Sequence, residues 1–297
     1  MNEHGFFYHP VKLKSGNISL LNYTFDCLNR EVKDHIMQKI LLLPLLLFTT
    51  VLHAAHHGKL SNQELSALLN DSNRPIADKT RDETRQPVKI MAFTGVSSGN
   101  HVLDLAAGGG WYSELFSRAV GPQGKVYVQN DEVIWRFAEK DITARTKDNR
   151  LPNVQRLDNV AIANMAVPAG SIDIAFTALN YHDLFFTEVL QDGKLVKLRD
   201  EVVDYRVALA AIKTALKDTG VLVIVDHVGK TGSGYEAANT LHRIDPDIVK
   251  FQLKDAGFKL IEEAFYLRNE SDDHTKLVFD PSIRGKTDRF IYKFVKQ

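Results

Sequence analysis

Cysteine is almost absent from this chain of 297 residues, which contains only Cys27. A single thiol can form neither an intramolecular disulfide nor a metal site with several cysteine ligands. An excess of positive charge is also lacking, because Lys and Arg together number 37 and Asp and Glu together number 37. The sequence has no run of basic residues and no internal repeat. We therefore expect no nucleic-acid partner on electrostatic grounds.

The apolar stretch at residues 40–51 is too short for a membrane-spanning helix, which requires about 20 residues. It follows Met37 and a lysine, and small residues such as Ala54 come after it, an order typical of a secretory signal peptide. We predict that residues 37–55 are a signal peptide, that residues 1–36 are an over-extended start, and that no stable membrane anchor remains after cleavage. The protein would then be periplasmic or secreted. The alternative is a cytoplasmic protein in which this stretch is a buried helix.

Residues 56–74 are predicted to form an N-terminal tail and a helix. His56 and His57 have no further ligands at the spacing of a metal site, so we interpret them as part of the tail. Ser61 is followed three residues later by Glu64, and this capping box predicts a helix start.

Charged residues in the next segment, residues 73–93, fall on one face of a predicted helix. One interpretation is a solvated face. The other is a lid over a ligand, in which Arg81 or Arg85 meets a carboxylate. The residues concerned are Asp78, Arg81, Asp82 and Arg85.

The most informative stretch begins with the short apolar run at residues 102–105, which is typical of a strand buried on both faces. The three glycines at positions 108–110 then permit a sharp turn and a close approach of a ligand to the backbone. A helix is predicted from Trp111, and a second strand at residues 125–128 ends at Asn130. A strand, a glycine turn, a helix and a second strand form the first half of a nucleotide-binding unit.

Two ligand classes suit such a unit, because a helix N-terminus offers free N–H groups and a following acid can receive ribose hydroxyls. A dinucleotide fingerprint requires a third glycine where Ser113 stands, which disfavours a nicotinamide-dependent oxidoreductase. Asp104 and the glycines after it resemble instead the first motif, D-x-G-x-G-x-G, of class I S-adenosylmethionine (SAM)-dependent methyltransferases. Ala106 replaces the usual first glycine of that motif, and an alanine is tolerable there if the backbone keeps a negative φ.

The rest of the chain alternates between helices and strands, which predicts an α/β fold with a largely parallel sheet and an antiparallel edge. Asp192-Gly193 predicts a hairpin turn within the long segment that follows Asn180. Strands are predicted at 154–157, 171–177, 220–225, 258–266 and 289–295, and helices at 135–146, 205–216 and 245–256.

Residues 75–297 resemble a class I methyltransferase domain and, more narrowly, are similar to a group of exported bacterial predicted methyltransferases. The resemblance implies a Rossmann-like fold with a seven-stranded, mostly parallel sheet, an antiparallel last strand and helices on both faces. The features that carry it are Arg81-Asp82, the A-G-G-G-W-Y turn at 107–112, Asn180-Tyr181-His182-Asp183, Asp226-His227, Leu241-His242-Arg243 and Thr287-Asp288-Arg289.

The resemblance also implies which residues hold SAM. Asp104 would lie near the ammonium group of the cofactor, and Asn130 stands where the family has its ribose acid, with Asp131 as the alternative. The two residues that end the third strand would hold the adenine amine, and Asn180 would face the methyl group. The predicted cofactor residues are Asp104, Ala106, Gly108, Gly110, Asn130, Asp131, Asp158, Asn159 and Asn180.

Three histidines, at positions 182, 227 and 242, follow predicted strands or precede a helix, at the edge where the catalytic loops of this fold gather. Histidine suits a general base because its pKa lies near neutrality. We predict His182, Asp183 and His227 as catalytic residues, with Asp183 or Asp226 orienting an imidazole. The spacing of the histidines matches no short zinc motif, so no metal is predicted.

The sequence therefore predicts a SAM-dependent methyltransferase that transfers the methyl group in line to a small-molecule acceptor. One alternative is a catalytically silent protein that kept the fold and binds SAM or another ligand. The other alternative is a nicotinamide-dependent oxidoreductase. The sequence does not indicate the acceptor or the oligomeric state.

Overall fold

The computed structural model describes residues 58–191 and 194–297, all of which belong to one compact unit. The predicted signal peptide, the start at Met37, Cys27 and the paired histidines at 56 and 57 lie outside the described residues. None of the helices in these two ranges combines the length and the apolar character that crossing a membrane requires.

A seven-stranded sheet with the order β3-β2-β1-β4-β7-β9-β8 forms the centre of the molecule. A separate hairpin pairs β5 with β6, and Gln191 lies opposite Lys194 across the predicted turn, whose residues 192 and 193 are not described. In the described ranges the strands are β1 His101–Leu105, β2 Lys125–Asn130, β3 Val154–Asp158, β4 Ile172–Ala178, β5 Glu188–Gln191, β6 Lys194–Lys197, β7 Leu216–His227, β8 Phe258–Ala264 and β9 Arg289–Lys296.

The last strand, β9, is antiparallel as expected, but it lies between β7 and β8 and not at the edge of the sheet. The last two strands form an antiparallel pair at this edge of the sheet, as expected, and the burial pattern explains why β9 is the inner strand of the pair. Residues 289–294 of β9 are all buried, which requires neighbours on both sides. The true edge strand, β8, exposes Lys259 and Glu262, and charges of this kind protect an edge from further pairing.

Helices cover both faces of the sheet, because alternate residues of the buried strands point to opposite sides. In β1, Leu103 packs into one hydrophobic core and Val102 into the other. The helices of the described residues are α1 Asn62–Leu69, α2 Ile76–Lys79, α3 Asp82–Arg85, α4 Pro87–Thr94, α5 Trp111–Val120, α6 Glu132–Thr146, α7 Tyr205–Ala215, α8 Glu236–Leu241 and α9 Pro246–Asp255.

The first of these helices, α1, begins at the predicted capping box of Ser61 and Glu64. Its Leu65 is fully buried in the same core as Ile90 of α4 and Phe116 of α5. The helix is therefore part of the folded body, although we expected the domain to begin only at residue 75.

The parallel strands β1, β2, β4 and β7 end at the same edge of the sheet, because they run in the same direction. Ligands bind outside the carboxyl ends of the strands in open α/β sheets. The loops that follow these strands carry most of the predicted site residues.

Candidate functional site

A cavity of about 810 Å³ lies at this edge of the sheet. It is bounded by the glycine turn on one side and by the histidine-containing loops on the other. The predicted site residues that line it are Asp104, Ala106, Gly108, Asn180, His182, Asp183 and His227. The other predicted cofactor residues are not part of its lining.

The glycine turn is held by the side chain of Asn130, which is fully buried. Oδ1 of Asn130 accepts a hydrogen bond from the N–H of Gly108 at 2.8 Å, and Nδ2 donates to the carbonyl oxygen of Gly108 at 3.1 Å. In this arrangement Asn130 positions the turn and does not face the cavity. Gly108 itself has a φ of +57°, and a Cβ built there would meet no atom within 4 Å, so its open side is available to a ligand.

Ala106 has a φ of +47°, in the left-handed region, so the condition of a negative φ is not met. Its backbone is fixed from two sides, because its N–H donates to Oε1 of Gln129 at 3.0 Å and its carbonyl accepts from Nδ2 of Asn180 at 2.6 Å. These bonds hold a conformation that usually costs a residue with a Cβ about 1–2 kcal/mol. Asn180 thus links the end of β4 to the turn after β1.

Gly110 serves packing and does not line the cavity. A Cβ at this position would lie 2.6 Å from Cδ1 of Ile142, so the absence of a side chain lets α6 pack against the turn. Gly110 also begins α5 with a φ of +76°.

Asp104 is only 2% exposed, and its Oδ2 accepts a hydrogen bond from Oγ of Ser113 at 2.5 Å. Burial raises the pKa of Asp104 to about 7, although the bond from Ser113 acts in the opposite direction. Ser113, which the sequence analysis used only as a missing glycine, therefore holds the carboxylate at the base of the cavity.

The residues that follow β2 and β3 have structural partners instead of facing the cavity. Asp131 caps α6 by accepting from the N–H groups of its first turn, and it forms an ion pair with Arg199 at 3.0 Å. Asp158 pairs with Arg156 at 2.7 Å, and Asn159 adopts a left-handed φ of +54°. The cofactor contacts that the resemblance implied for these residues stay predictions.

The segment 73–93 forms two one-turn helices, α2 and α3, followed by α4, and not one continuous helical face. Two of its acids are paired, since Asp82 binds Arg74 at 2.8 Å and Asp78 binds Arg145 at 2.6 Å. Arg81 and Arg85 line the cavity together with Asp78, and the guanidinium of Arg85 lies 4.7 Å from the centre of the Trp111 ring. The placement of these two arginines agrees with the lid interpretation, while the paired acids form a fixed ionic network.

Three side chains meet at the opposite wall of the cavity. Nε2 of His182 lies 3.2 Å from Nδ1 of His242 and 3.3 Å from Oδ1 of Asp183. Nδ1 of His242 lies 3.6 Å from the same oxygen of Asp183. On its other side, Nδ1 of His182 faces Oδ1 of Asp226 at 2.9 Å. All four residues were predicted to lie at this edge, but His242 was not among the predicted catalytic residues.

The two histidines next to Asp226 differ in their protonation. Burial lowers the pKa of His182, but the charges of Asp226 and Asp183 outweigh this effect and raise it to about 9. Burial, followed by the repulsion from His182, lowers the pKa of His227 well below its usual value. Nδ1 of His227 lies 2.7 Å from the hydroxyl oxygen of Thr287, which fixes the orientation of this ring. His227 is therefore the neutral imidazole of the two in the unliganded protein.

No protein-family model matches the sequence, and a comparison with curated proteins finds no match. Among solved structures, geranyl diphosphate C-methyltransferase from Streptomyces coelicolor A3(2) is 14% identical, covers 82% of this chain and 93% of its own, and has a TM-score of 0.51. That structure contains Mg²⁺, geranyl diphosphate and S-adenosylhomocysteine. A chain of the complex between the Haloferax volcanii Trm112 methyltransferase activator and a methyltransferase is 13% identical, with coverages of 79% and 96% and a TM-score of 0.50.

A SAM-dependent methyltransferase from Aquifex aeolicus is 21% identical, with coverages of 80% and 100% and a TM-score of 0.49. The first two similarities show that the chain has the Rossmann-like methyltransferase fold. Identities this low establish the fold alone, so the function has to be argued from the site.

Proposed function

We propose that this protein is a SAM-dependent methyltransferase that transfers a methyl group in line to a small-molecule acceptor. The observation that carries the proposal is the position of Asp104 and Gly108 on one wall of a single cavity, opposite His182 and His227. The fold supports it, because two structures with the same fold are of a methyltransferase or a complex that contains one.

The cofactor would occupy the side of the cavity at the glycine turn. Asp104 is the buried acid that faces this side, and an ammonium group is a suitable partner for it. The open face of Gly108 allows the backbone to approach the cofactor, and Asn180 fixes the turn from the methyl-group end. We therefore assign cofactor binding to Asp104, Ala106, Gly108 and Asn180, and a supporting role to Asn130 and Asp131.

The acceptor would occupy the side that the histidines line. A volume of about 810 Å³ falls within the range of about 300–1,000 Å³ that is common for ligand sites. The rings of Phe186 and Phe279 line the same side and provide apolar contact for the acceptor. His182 and Asp183 are polar groups there that can orient the acceptor, and the neutral imidazole of His227 can take up its proton.

Titration of the purified full chain with SAM, S-adenosylhomocysteine and NAD tests the cofactor assignment. We expect both adenosyl compounds to bind one site and NAD not to bind. Binding of NAD alone would identify an oxidoreductase and overturn the proposal. Because binding without turnover would indicate a silent binding protein, transfer of a labelled methyl group from SAM to a panel of small hydroxyl, amine and carbon acids is measured alongside.

We also propose that the protein is exported, since residues 37–55 have the order of a signal peptide. Cell fractionation combined with mass spectrometry of the native N-terminus tests this proposal. We expect a mature terminus close to Ala54 or Ala55 in a periplasmic or secreted fraction. An intact terminus at Met1 in a cytoplasmic fraction would contradict it.

A further inference from the structure

The three donor atoms of His182, Asp183 and His242 form a compact triangle. Its sides are 3.2 Å, 3.3 Å and 3.6 Å. Ligand atoms on one tetrahedral or octahedral metal ion, at bond lengths of about 2.0–2.2 Å, lie about 2.8–3.6 Å from each other. The three atoms therefore already have the separation that they would have around a single ion.

Asp226 prepares His182 for this role. Its carboxylate accepts from Nδ1 of His182 at 2.9 Å and from the backbone N–H of the same residue at 2.8 Å. It also accepts from the backbone N–H of His227 at 2.7 Å, so it is held in place by three donors. A carboxylate on the far nitrogen fixes the tautomer of a metal-binding histidine and directs the lone pair of the other nitrogen to the metal. Here that nitrogen is Nε2, which faces Asp183 and His242.

The ring of His242 is also positioned in advance. The residue ends α8 with a left-handed φ of +53°, which turns the chain at this point. Its ring packs between those of Phe186 and Phe279, with ring centres 4.4 Å and 5.0 Å apart. These contacts orient the ring whose Nδ1 faces His182, and all three residues of the triangle line the cavity.

We propose that His182, Asp183 and His242 bind one divalent first-row transition-metal ion whose open coordination positions face the cavity. Two imidazoles and one carboxylate favour an ion such as Zn²⁺ or Fe²⁺ over Mg²⁺ or Ca²⁺, which prefer sets of oxygen ligands. The open positions would take a hydroxyl, enolate or similar oxygen donor of the acceptor. This assignment of the acceptor class rests on the proposed methyl transfer, whereas the metal site itself does not.

Metal binding is tested on the full chain with Co²⁺ and Zn²⁺ alone, by equilibrium dialysis with metal analysis. The absorption bands of bound Co²⁺ report the coordination number. We expect one equivalent to bind, and Asp183→Asn and His242→Gln to weaken binding at least 100-fold. Asp226→Asn, which removes the carboxylate that fixes the tautomer of His182 but none of the three donor atoms, is expected to weaken it 10- to 100-fold.

Two matched controls test whether histidines outside the cluster contribute to the signal. The double variant H56Q/H57Q removes the adjacent pair near the N-terminus, and His101→Gln removes an imidazole at the far end of β1. Both are expected to bind Co²⁺ like the parent chain. If Asp183→Asn and His242→Gln also bind like the parent, or if the parent binds no Co²⁺ or Zn²⁺, the cluster is a hydrogen-bonded network and the proposal is wrong.

Titration of the same variants with SAM shows that they are folded and separates the two proposals. We expect Asp183→Asn and His242→Gln to bind SAM like the parent chain, because neither residue belongs to the cofactor wall. If the parent chain binds one Co²⁺ but no SAM, the proposed metal site is supported and the proposed methyltransferase function is wrong. If the parent chain binds SAM but no metal, the proposed cofactor site is supported and the proposed metal site is wrong.

Discussion

The side chain of Asn130 bonds both backbone polar groups of Gly108, accepting from its N–H at 2.8 Å and donating to its carbonyl oxygen at 3.1 Å. Few side chains other than an amide can do both, because this requires a donor and an acceptor on one planar group. Asn130, the last residue of β2, thereby fixes the turn that follows β1 through both hydrogen bonds. The bonds also explain why an amide stands where related folds have a ribose-binding acid.

Asn130→Asp is therefore expected to destabilise the fold. The carboxylate loses the donor to the carbonyl of Gly108 and leaves that contact repulsive, which should cost about 1–3 kcal/mol of unfolding free energy. Urea unfolding followed by circular dichroism measures the loss. Asn149→Asp is the control, because Asn149 is exposed, and we expect it to change stability by less than about 0.5 kcal/mol. Equal effects of the two substitutions would contradict this role of Asn130.

Ala106→Gly is expected to stabilise the protein. Glycine removes the penalty of about 1–2 kcal/mol that alanine has at a φ of +47°. It also raises the entropy of the unfolded chain, which costs about 0.4–1 kcal/mol of stability. The difference is a net stabilisation of about 0.5–1 kcal/mol. The control is Ala107→Gly, next in the chain and outside the left-handed region, which should destabilise. Thermal melts of both variants decide the matter, and a lower melting temperature for Ala106→Gly would show that the strain is absent.

How far the sequence alone predicts this molecule depends on the distance over which its interactions act. The strand at residues 102–105 and the helix from Trp111 follow from local apolar spacing, and the structure confirms both. The position of β9 inside the sheet depends on pairing with both β7 and β8, which no local pattern encodes. The left-handed φ of Ala106 likewise depends on a bond from Asn180, which is distant in sequence.

The site shows the same division. Topology predicts that His182 and His227 lie at one edge of the sheet, because both follow strands that run in the same direction. The 3.2 Å approach of His242 to His182 depends on how α8 ends and on the aromatic rings around it. Asn130 and Asp131 were assigned from a motif position, whereas their actual partners are the glycine turn, the first turn of α6 and Arg199.

Gly108→Val is expected to abolish SAM binding while the domain still folds. The new side chain would extend into space that contains no atom within 4 Å of a Cβ, which is the space proposed for the cofactor. Gly99→Val is the matched control, since Gly99 also has a positive φ, of +81°, and a free Cβ direction but does not line the cavity. Both variants carry the same kind of backbone strain, so only Gly108→Val should lose binding in calorimetric titrations. If both variants lose SAM binding, or if neither does, the proposal that the cofactor binds at the glycine turn is wrong.

The affinity for SAM should depend on pH through Asp104. Its pKa of about 7 leaves the carboxyl largely neutral at pH 5.5, and the ammonium of the cofactor needs the ionised form. Affinity is therefore expected to rise by roughly tenfold or more between pH 5.5 and 7.5, since binding becomes tighter as the proton leaves. Tyr112 lies nearby, but burial raises its pKa to about 12, so it stays neutral in this range.

Asp104→Asn tests the assignment of this pH dependence. It removes the titrating group and a charge-assisted hydrogen bond, so SAM should bind more weakly by about 1.5–3 kcal/mol at pH 7.5 and with little variation between pH 5.5 and 7.5. An unchanged pH profile in Asp104→Asn would assign the dependence to another group.

His182→Ala is expected to lower kcat by roughly 10²- to 10⁴-fold while the affinity for SAM changes little. The side chain is 2% exposed and stands on the wall opposite the glycine turn, so it contacts the acceptor side of the cavity. The loss is expected whether His182 acts on the acceptor directly or through a bound ion, and Co²⁺ binding of the same variant distinguishes these routes.

His227→Ala, tested in parallel, removes the neutral imidazole but none of the three donor atoms of the cluster, so it should lower kcat without weakening Co²⁺ binding. An unchanged kcat in His182→Ala would refute its role in the reaction, and a parallel loss of SAM affinity would instead assign it to the cofactor site.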